Sequence, residues 1–217
     1  MQNNNWGGKL KEMGILWQHD GDCQKPHALW TSGRHANTFN NGSKLVEEPA
    51  LLAEVAKGII ENIITNPQYQ KPDWVLGPAF GAVTLGHEIA KQLKTKFAFT
   101  EPVQTDQGKE QVLKRFEIKP GETVLVVEDA ISTGGSMLKS IAVLEELGAE
   151  VLPYVASIVN WSGKDDLGGR TIFALFSDQP KSWESAEECP LCQCGSEPLR
   201  PKANWDKFVK NNKQTND

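Results

Sequence analysis

The chain has 217 residues, of which 39% are hydrophobic and 24% charged, with a formal net charge of -5 and four cysteines. That length suits one larger domain, or one domain with an appended flap, rather than two equal domains, and the acidic balance excludes a nucleic-acid binder, which needs a basic face for phosphates. No run approaches the about 20 apolar residues of a membrane span, and the opening "MQNNNWGGKLKEMG" lacks a signal-peptide apolar region, so a cytoplasmic protein is expected.

In chain order, "KLKEMGIL" reads as a short helix, and "HALWT" and "NTFNN" as two strands. Residues 49–64 form a stronger helix: Leu51, Leu52, Val55, Ala56, Ile59, Ile60 and Ile63 recur with the helical period, and Pro49 fits the first turn. "DWVLG" is a short apolar strand, residues 80–93 a helix, and "KFAFT" another strand. The polar stretch 101–111, "EPVQTDQGKEQ", has no apolar period and reads as a mobile loop of a length that suits a lid. Residues 123–127 are a nearly all-apolar strand, "SMLKSIAVLEELG" a helix closed by Gly148, "EVLPYVASIV" the next strand, and the tail after Ala203 a short helix with a frayed polar end. Strands alternating with helices, the central ones apolar on both faces, predict an α/β fold with a parallel sheet covered on both sides.

Three cysteines cluster in "ECPLCQCG" (Cys189, Cys192, Cys194), and Cys23 stands alone near the other end. In a reducing compartment this is not a disulfide framework. Cys189 and Cys192 have the C-x-x-C spacing of a zinc half-site, and Cys194 adds a third thiolate. No fourth ligand is evident, and no metal is assigned there.

Chemistry concentrates at residues 124–136, "VLVVEDAISTGGS". In open parallel sheets ligands sit beyond the carboxyl ends of the strands, where Glu128 and Asp129 fall. Ser132, Thr133, Gly134, Gly135 and Ser136 then bring hydroxyls and unpaired amides to a helix N-terminus, which is a phosphate cradle. The carboxylates repel a phosphate but suit a polyol or a magnesium ion, so the two halves together describe a sugar phosphate. The three "GK" pairs lack a following Ser or Thr, and no G-x-G-x-x-G follows a strand, which removes the nucleotide-cofactor motifs.

This stretch resembles the signature of the type I phosphoribosyltransferases, which bind phosphoribosyl pyrophosphate (PRPP). The resemblance implies that Glu128 and Asp129 hydrogen-bond the ribose hydroxyls while residues 132–136 wrap the 5′-phosphate. Other segments are similar to the orotate branch: "HALWTSGRHANTFNN", "GPAFGAV", "VLKRFEIKPGETVLVVEDAISTGGS" and "CPLCQCGSEPL". They imply a nucleobase pocket lined by Ser32, Gly33, Arg34, His35, Thr38 and Phe39, and a pyrophosphate loop at Ala79, Phe80 and Gly81, whose glycine-bracketed turn offers backbone amides. Trp161 stands where that branch carries an arginine, and a tryptophan stacks on a base without donating a forked pair of hydrogen bonds. Pro102 likewise replaces a basic residue. The implied chemistry is displacement of pyrophosphate at the anomeric carbon by a ring nitrogen, helped by Mg2+, by Asp129 and by Lys109 as the loop cation. The family also implies a homodimer with each loop reaching its neighbour's site, and a small hood. The expected organisation is residues 1–45 in the hood, 46–180 as core and 181–217 as a cysteine-containing segment and tail.

Overall fold

The computed structural model describes residues 6–209 except Thr31 and Gln107. The chain divides into two compact units, Leu45–Asp178 on one side of the division and Met1–Lys44 with Gln179–Asp217 on the other.

The first segment of the discontinuous unit contains α1 (Trp6–Glu12), β1 (Leu16–Gln18), β2 (His27–Leu29), β3 (His35–Ala36) and β4 (Thr38–Asn40), followed at the unit boundary by α2 (Ser43–Glu47). The continuous unit runs through α3 (Pro49–Ile63), β5 (Trp74–Pro78), α4 (Val83–Leu93), β6 (Lys96–Thr105), β7 (Gly108–Val112), β8 (Thr123–Ile131) and α5 (Gly135–Glu146). It ends with β9 (Glu150–Val151), β10 (Tyr154–Asn160), β11 (Asp166–Leu167) and β12 (Arg170–Ser177). The chain then returns to the first unit for β13 (Ser182–Trp183), α6 (Pro190–Gln193), β14 (Pro198–Leu199) and α7 (Trp205–Val209).

In the continuous unit the sheet order is β11-β12-β10-β8-β5-β6-β7, with β9 paired to β8. The five inner strands, β12, β10, β8, β5 and β6, are mutually parallel, and the outermost pairs β11–β12 and β6–β7 are antiparallel. Alternation along the strands divides the core between two faces. Trp74, Leu76, Val124 and Val126 pack with Met137, Ile141 and Leu144 of α5. The intervening residues face α4, whose Gly86 lets the helix come close to Phe97 and Val127. β5 and β10 are buried along their whole length, as strands covered on both sides must be.

The stretch 101–111 differs from expectation. It is not a loop: β6 continues to Thr105 and pairs with β7 in a hairpin, with Glu101 opposite Val112 and Thr105 opposite Gly108. Gly108 takes the reversal at φ 113°, and the Thr105 hydroxyl donates to the Gly108 carbonyl at 2.9 Å. Among its described residues the ribbon buries only Gln111, so the apolar alternation that marks a half-buried strand is absent although Glu101–Thr105 pair with Gly108–Val112. The α4 helix also begins at Val83, later than the sequence places it, because residues 79–82 form a turn.

The discontinuous unit has a small sheet, β13-β3-β2-β14, and the pair β1-β4. Trp17, Ala28, Ala36 and Phe208 form its core, with Trp30, Phe39, Leu199 and Trp205 packed against them. A disulfide joins Cys23 to Cys194 across 171 residues of sequence, with Cα atoms 5.7 Å apart. This corrects the sequence reading, in which the cysteines formed no disulfide, Cys23 stood alone and Cys194 was a candidate third thiolate. The pairing depends on β14 lying beside β2, and no spacing rule reports such a long-range contact.

Candidate active site

Glu128 and Asp129 lie near the carboxyl end of β8, and the chain enters α5 at Gly135, six residues after Asp129, through Gly134 at φ 73°. A side chain at Gly134 would meet the Leu167 Cδ1 atom at 2.3 Å, so a left-handed turn and a close approach both demand glycine there. Among the described residues the amides of Ser132, Thr133 and Gly134 meet no acceptor in the chain. The first-turn amides of α5 point the same way, apart from the long contact of the Gly135 amide to Thr133 Oγ1 at 3.4 Å. Ser132, Thr133 and Ser136 are exposed. Unpaired donors at the positive end of a 12-residue helix attract an anion.

The acids differ from one another. Glu128 is buried, at 7% exposure, and accepts a hydrogen bond from the Ser136 hydroxyl at 2.9 Å. Burial first, and the neighbouring Asp129 charge second, push its carboxyl up to about 8 against the pull of the Ser136 bond. Asp129 is half-buried and accepts from the Ala130 amide at 2.9 Å.

The 77–81 turn comes to the same place. A Cβ on Gly81 would lie 2.8 Å from Asp129 Oδ1, so the turn and the acid pair form one site, which only a glycine there permits. The Ala79 amide is already taken, donating to the Thr100 carbonyl at 2.8 Å. Those of Phe80 and Gly81 have no acceptor among the described residues. The Ala79–Phe80 peptide is cis, and the Phe80 ring is 84% exposed. Trp161 lies beside the end of β8: its amide donates to the Ile131 carbonyl at 2.7 Å, and its ring packs edge-on to Phe176 at 5.8 Å.

Lys109 lies on β7 and is exposed. Its carbonyl accepts from Lys139 of α5, and Lys139 also pairs with Glu110 at 3.3 Å. Arg115, farther along, is held by Glu101 at 2.6 Å.

The residues expected to line the base belong to the discontinuous unit, except Trp161. Ser32 and Gly33 are exposed on a turn closed by the Gly33 amide to the Trp30 carbonyl at 2.9 Å. Arg34 is engaged by Ser182 Oγ at 3.0 Å and by Glu184. The Thr38 hydroxyl is buried and donates to the Trp17 carbonyl at 2.7 Å, and Phe39 packs on Trp205. His35 is buried among His27, Cys189 and Cys192. Sequence reasoning missed Leu167, which fixes Gly134, and Asn160, whose side-chain carbonyl accepts from the Ser162 amide at 3.0 Å and hydroxyl at 2.6 Å, shaping the turn after Trp161. A short polar "NWS" after an apolar strand was the available signal for Asn160; Leu167 left none.

Comparison with known proteins agrees with this geometry. Residues 42–186 match the family described as phosphoribosyl transferase domain. The chain is 34% identical to the orotate phosphoribosyltransferase of Acidithiobacillus ferrooxidans over 191 residues, covering 88% of this chain and 95% of that protein. It is 38% identical to that of Caldicellulosiruptor bescii over 176 residues, covering 81% and 87%. Among solved structures, orotate phosphoribosyltransferase from Aeropyrum pernix superposes with a TM-score of 0.63 at 20% identity, over 78% of this chain and 92% of that one. Adenine phosphoribosyltransferase from Rhodothermus marinus gives 0.58 at 20% identity, over 81% and 100%. On the match of residues 42–186 and on relatives at 34–38% identity over most of the chain, the chain belongs to the phosphoribosyltransferase family and is a phosphoribosyltransferase enzyme.

Proposed function

We propose that this chain transfers the phosphoribosyl group of PRPP to orotate, giving the nucleoside monophosphate and pyrophosphate in pyrimidine synthesis. The donor half rests on one observation above the rest: Gly81 abuts the Asp129 carboxylate, so free amides of the 77–81 turn meet the acid pair at one strand end. The acceptor is assigned from the relatives, which are orotate phosphoribosyltransferases over most of the chain.

In this reading the 5′-phosphate rests on the 132–136 amides and hydroxyls, and the ribose hydroxyls donate to Glu128 and Asp129. As the C1–O bond to pyrophosphate breaks, negative charge grows on the leaving group, and the Phe80 and Gly81 amides together with Lys109 stabilise it. The ring nitrogen of the base supplies the electron pair for the new C1–N bond and gives up its proton to solvent. The family implies a magnesium ion, and the site fits one: two adjacent carboxylates and the substrate's own oxygens are the hard donors that it prefers. Mg2+ would neutralise pyrophosphate charge. Stacking by Trp161 would hold the base. A homodimer and a cytoplasmic location complete the proposal. No helix among the described residues is long and apolar enough to cross a membrane.

Pyrophosphate release measured with PRPP, Mg2+ and a panel of nucleobases tests the assignment. Orotate should give the highest kcat/KM. Turnover of another base alone would reassign the acceptor, and silence with every base would favour a PRPP-sensing regulator.

A further inference from the structure

Four side chains in the discontinuous unit converge on one point, among them His35, which the resemblance assigned to the base pocket. His27 on β2, His35 on β3, Cys189 at the start of α6 and Cys192 within it present one ligand atom each, all within 4.8 Å of one another. His27 and Cys189 are fully buried and His35 nearly so. Both cysteines are free thiols, because the disulfide uses Cys23 and Cys194.

The hydrogen-bond pattern fixes which atom His27 turns inward. The Ser196 hydroxyl donates its proton to the Lys25 carbonyl at 2.7 Å, so at its 2.9 Å contact with His27 Nδ1 it must accept. The His27 proton therefore sits on Nδ1, and Nε2 carries a bare lone pair. That lone pair faces His35 Nδ1 at 2.9 Å, Cys192 Sγ at 3.5 Å and Cys189 Sγ at 3.7 Å; Cys192 Sγ also lies 3.3 Å from His35 Nδ1. A tetrahedral zinc with bonds of about 2.0–2.1 Å to nitrogen and 2.3 Å to sulfur would set its ligand atoms about 3.3–3.8 Å apart. Three sulfur–nitrogen contacts already have that spacing, the nitrogen pair needs to open by a few tenths of an ångström, and the remaining pairs lie within 4.8 Å. A hydrogen-bonded histidine pair would account for the two rings alone. It gives no reason for two thiols from a third element to converge on the same point.

We infer that His27 Nε2, His35 Nδ1, Cys189 Sγ and Cys192 Sγ hold one structural zinc ion, with Ser196 as the positioning residue that keeps His27 in the binding tautomer. Binding releases the two thiol protons to solvent as the sulfurs become thiolates. Four protein ligands leave no open coordination position, so the ion fastens β2 and β3 to the α6 segment and does no catalysis. The third and fourth ligands are thus supplied by His27 and His35, more than 150 residues away in sequence, and Cys194 is not part of the set.

The full-length protein, purified without chelator, should carry about one zinc per chain by plasma mass spectrometry. Protein stripped by chelation and titrated with Co2+ should develop the intense visible bands and near-ultraviolet thiolate charge transfer of a tetrahedral site, saturating at one equivalent. Cys192→Ser should abolish this spectrum, Cys194→Ser should leave it intact, and Ser196→Ala should weaken Co2+ affinity about 10- to 100-fold. If Cys192→Ser does not fold, the wild-type titration decides alone. A metal-free preparation whose Co2+ spectrum stays weak and octahedral overturns the inference, as does loss of the spectrum in Cys194→Ser. None of these readouts depends on phosphoribosyl transfer.

Discussion

Glu128 and Asp129 are adjacent in sequence, and burial followed by the Asp129 charge suppresses the ionisation of Glu128. Its folded-state carboxyl is raised to about 8 from an ordinary 4.5. The folded protein therefore holds a proton that the unfolded chain gives up, so this group's contribution to stability is complete below about pH 4.5 and is lost as pH rises through about 8. Glu128→Gln should flatten that fall, measured as urea-unfolding free energy against pH. Ribose hydroxyls need the ionised form, so PRPP binding near pH 7 should release a proton; calorimetry in two buffers of different ionisation enthalpy reads this directly, and no buffer dependence would remove Glu128 from the ribose site. The double variant Glu128→Gln, Asp129→Asn should fold but bind PRPP poorly, because each lost charge-assisted hydrogen bond is worth about 1.5–3 kcal/mol. At Gly134, alanine brings a left-handed backbone cost of about 1–2 kcal/mol and a collision with Leu167; unfolding free energy should fall by at least that amount, and PRPP affinity with it.

At the scale of elements, sequence pattern served best where burial is two-sided. The 49–64 periodicity and the apolar runs of β5, β8 and β10 gave the right element types, since a covered parallel strand has nothing but apolar residues to offer. The turn was legible because two acids at the end of an apolar strand stand directly before it; glycine and hydroxyl residues at a helix start are by themselves ordinary caps. The β6–β7 hairpin escaped because its pairing is made by backbone groups while its side chains stay largely exposed. Trp161 is the element-end residue on which acceptor choice should turn. Its ring lies beside Phe176, and if it stacks on orotate, Trp161→Ala should raise the KM for orotate without changing that for PRPP. Trp161→Arg should keep or improve orotate binding by supplying the forked donors. Parent-like kinetics in both variants would place the residue outside the base site.

For the whole molecule, the proposed dimer makes a prediction that a monomer cannot satisfy. If the β6–β7 ribbon presents Lys109 to the neighbouring subunit, Lys109→Ala and Asp129→Ala should each be nearly inactive, while refolding equal amounts together gives about half heterodimers under random pairing. Each heterodimer then has one complete site, so about a quarter of all sites should work. Dead mixtures with heterodimers confirmed by native mass spectrometry would confine Lys109 to its own subunit. The contacts of β7 with α5 of the same chain, through Lys139 and Glu110, give such a ribbon a fixed base.

The division of the chain also bears on how the protein is made. All strands of the large sheet lie between Trp74 and Ser177, whereas the unit carrying residues 1–44 is completed only by residues after 178. During synthesis the N-terminal segment emerges first but has no β13 or β14 to pair with and no Cys194 to bond Cys23. The order of folding must therefore invert the order of translation: the large sheet can close while the ribosome is still decoding the cysteine-rich segment, and residues 6–44 wait for those after 178. Ribosome-stalled chains ending soon after residue 178, given enough linker to clear the exit tunnel, should thus resist protease across 45–178 and be cut within 6–44. Early protection of the N-terminal segment would show that it finds a partner this structure does not contain.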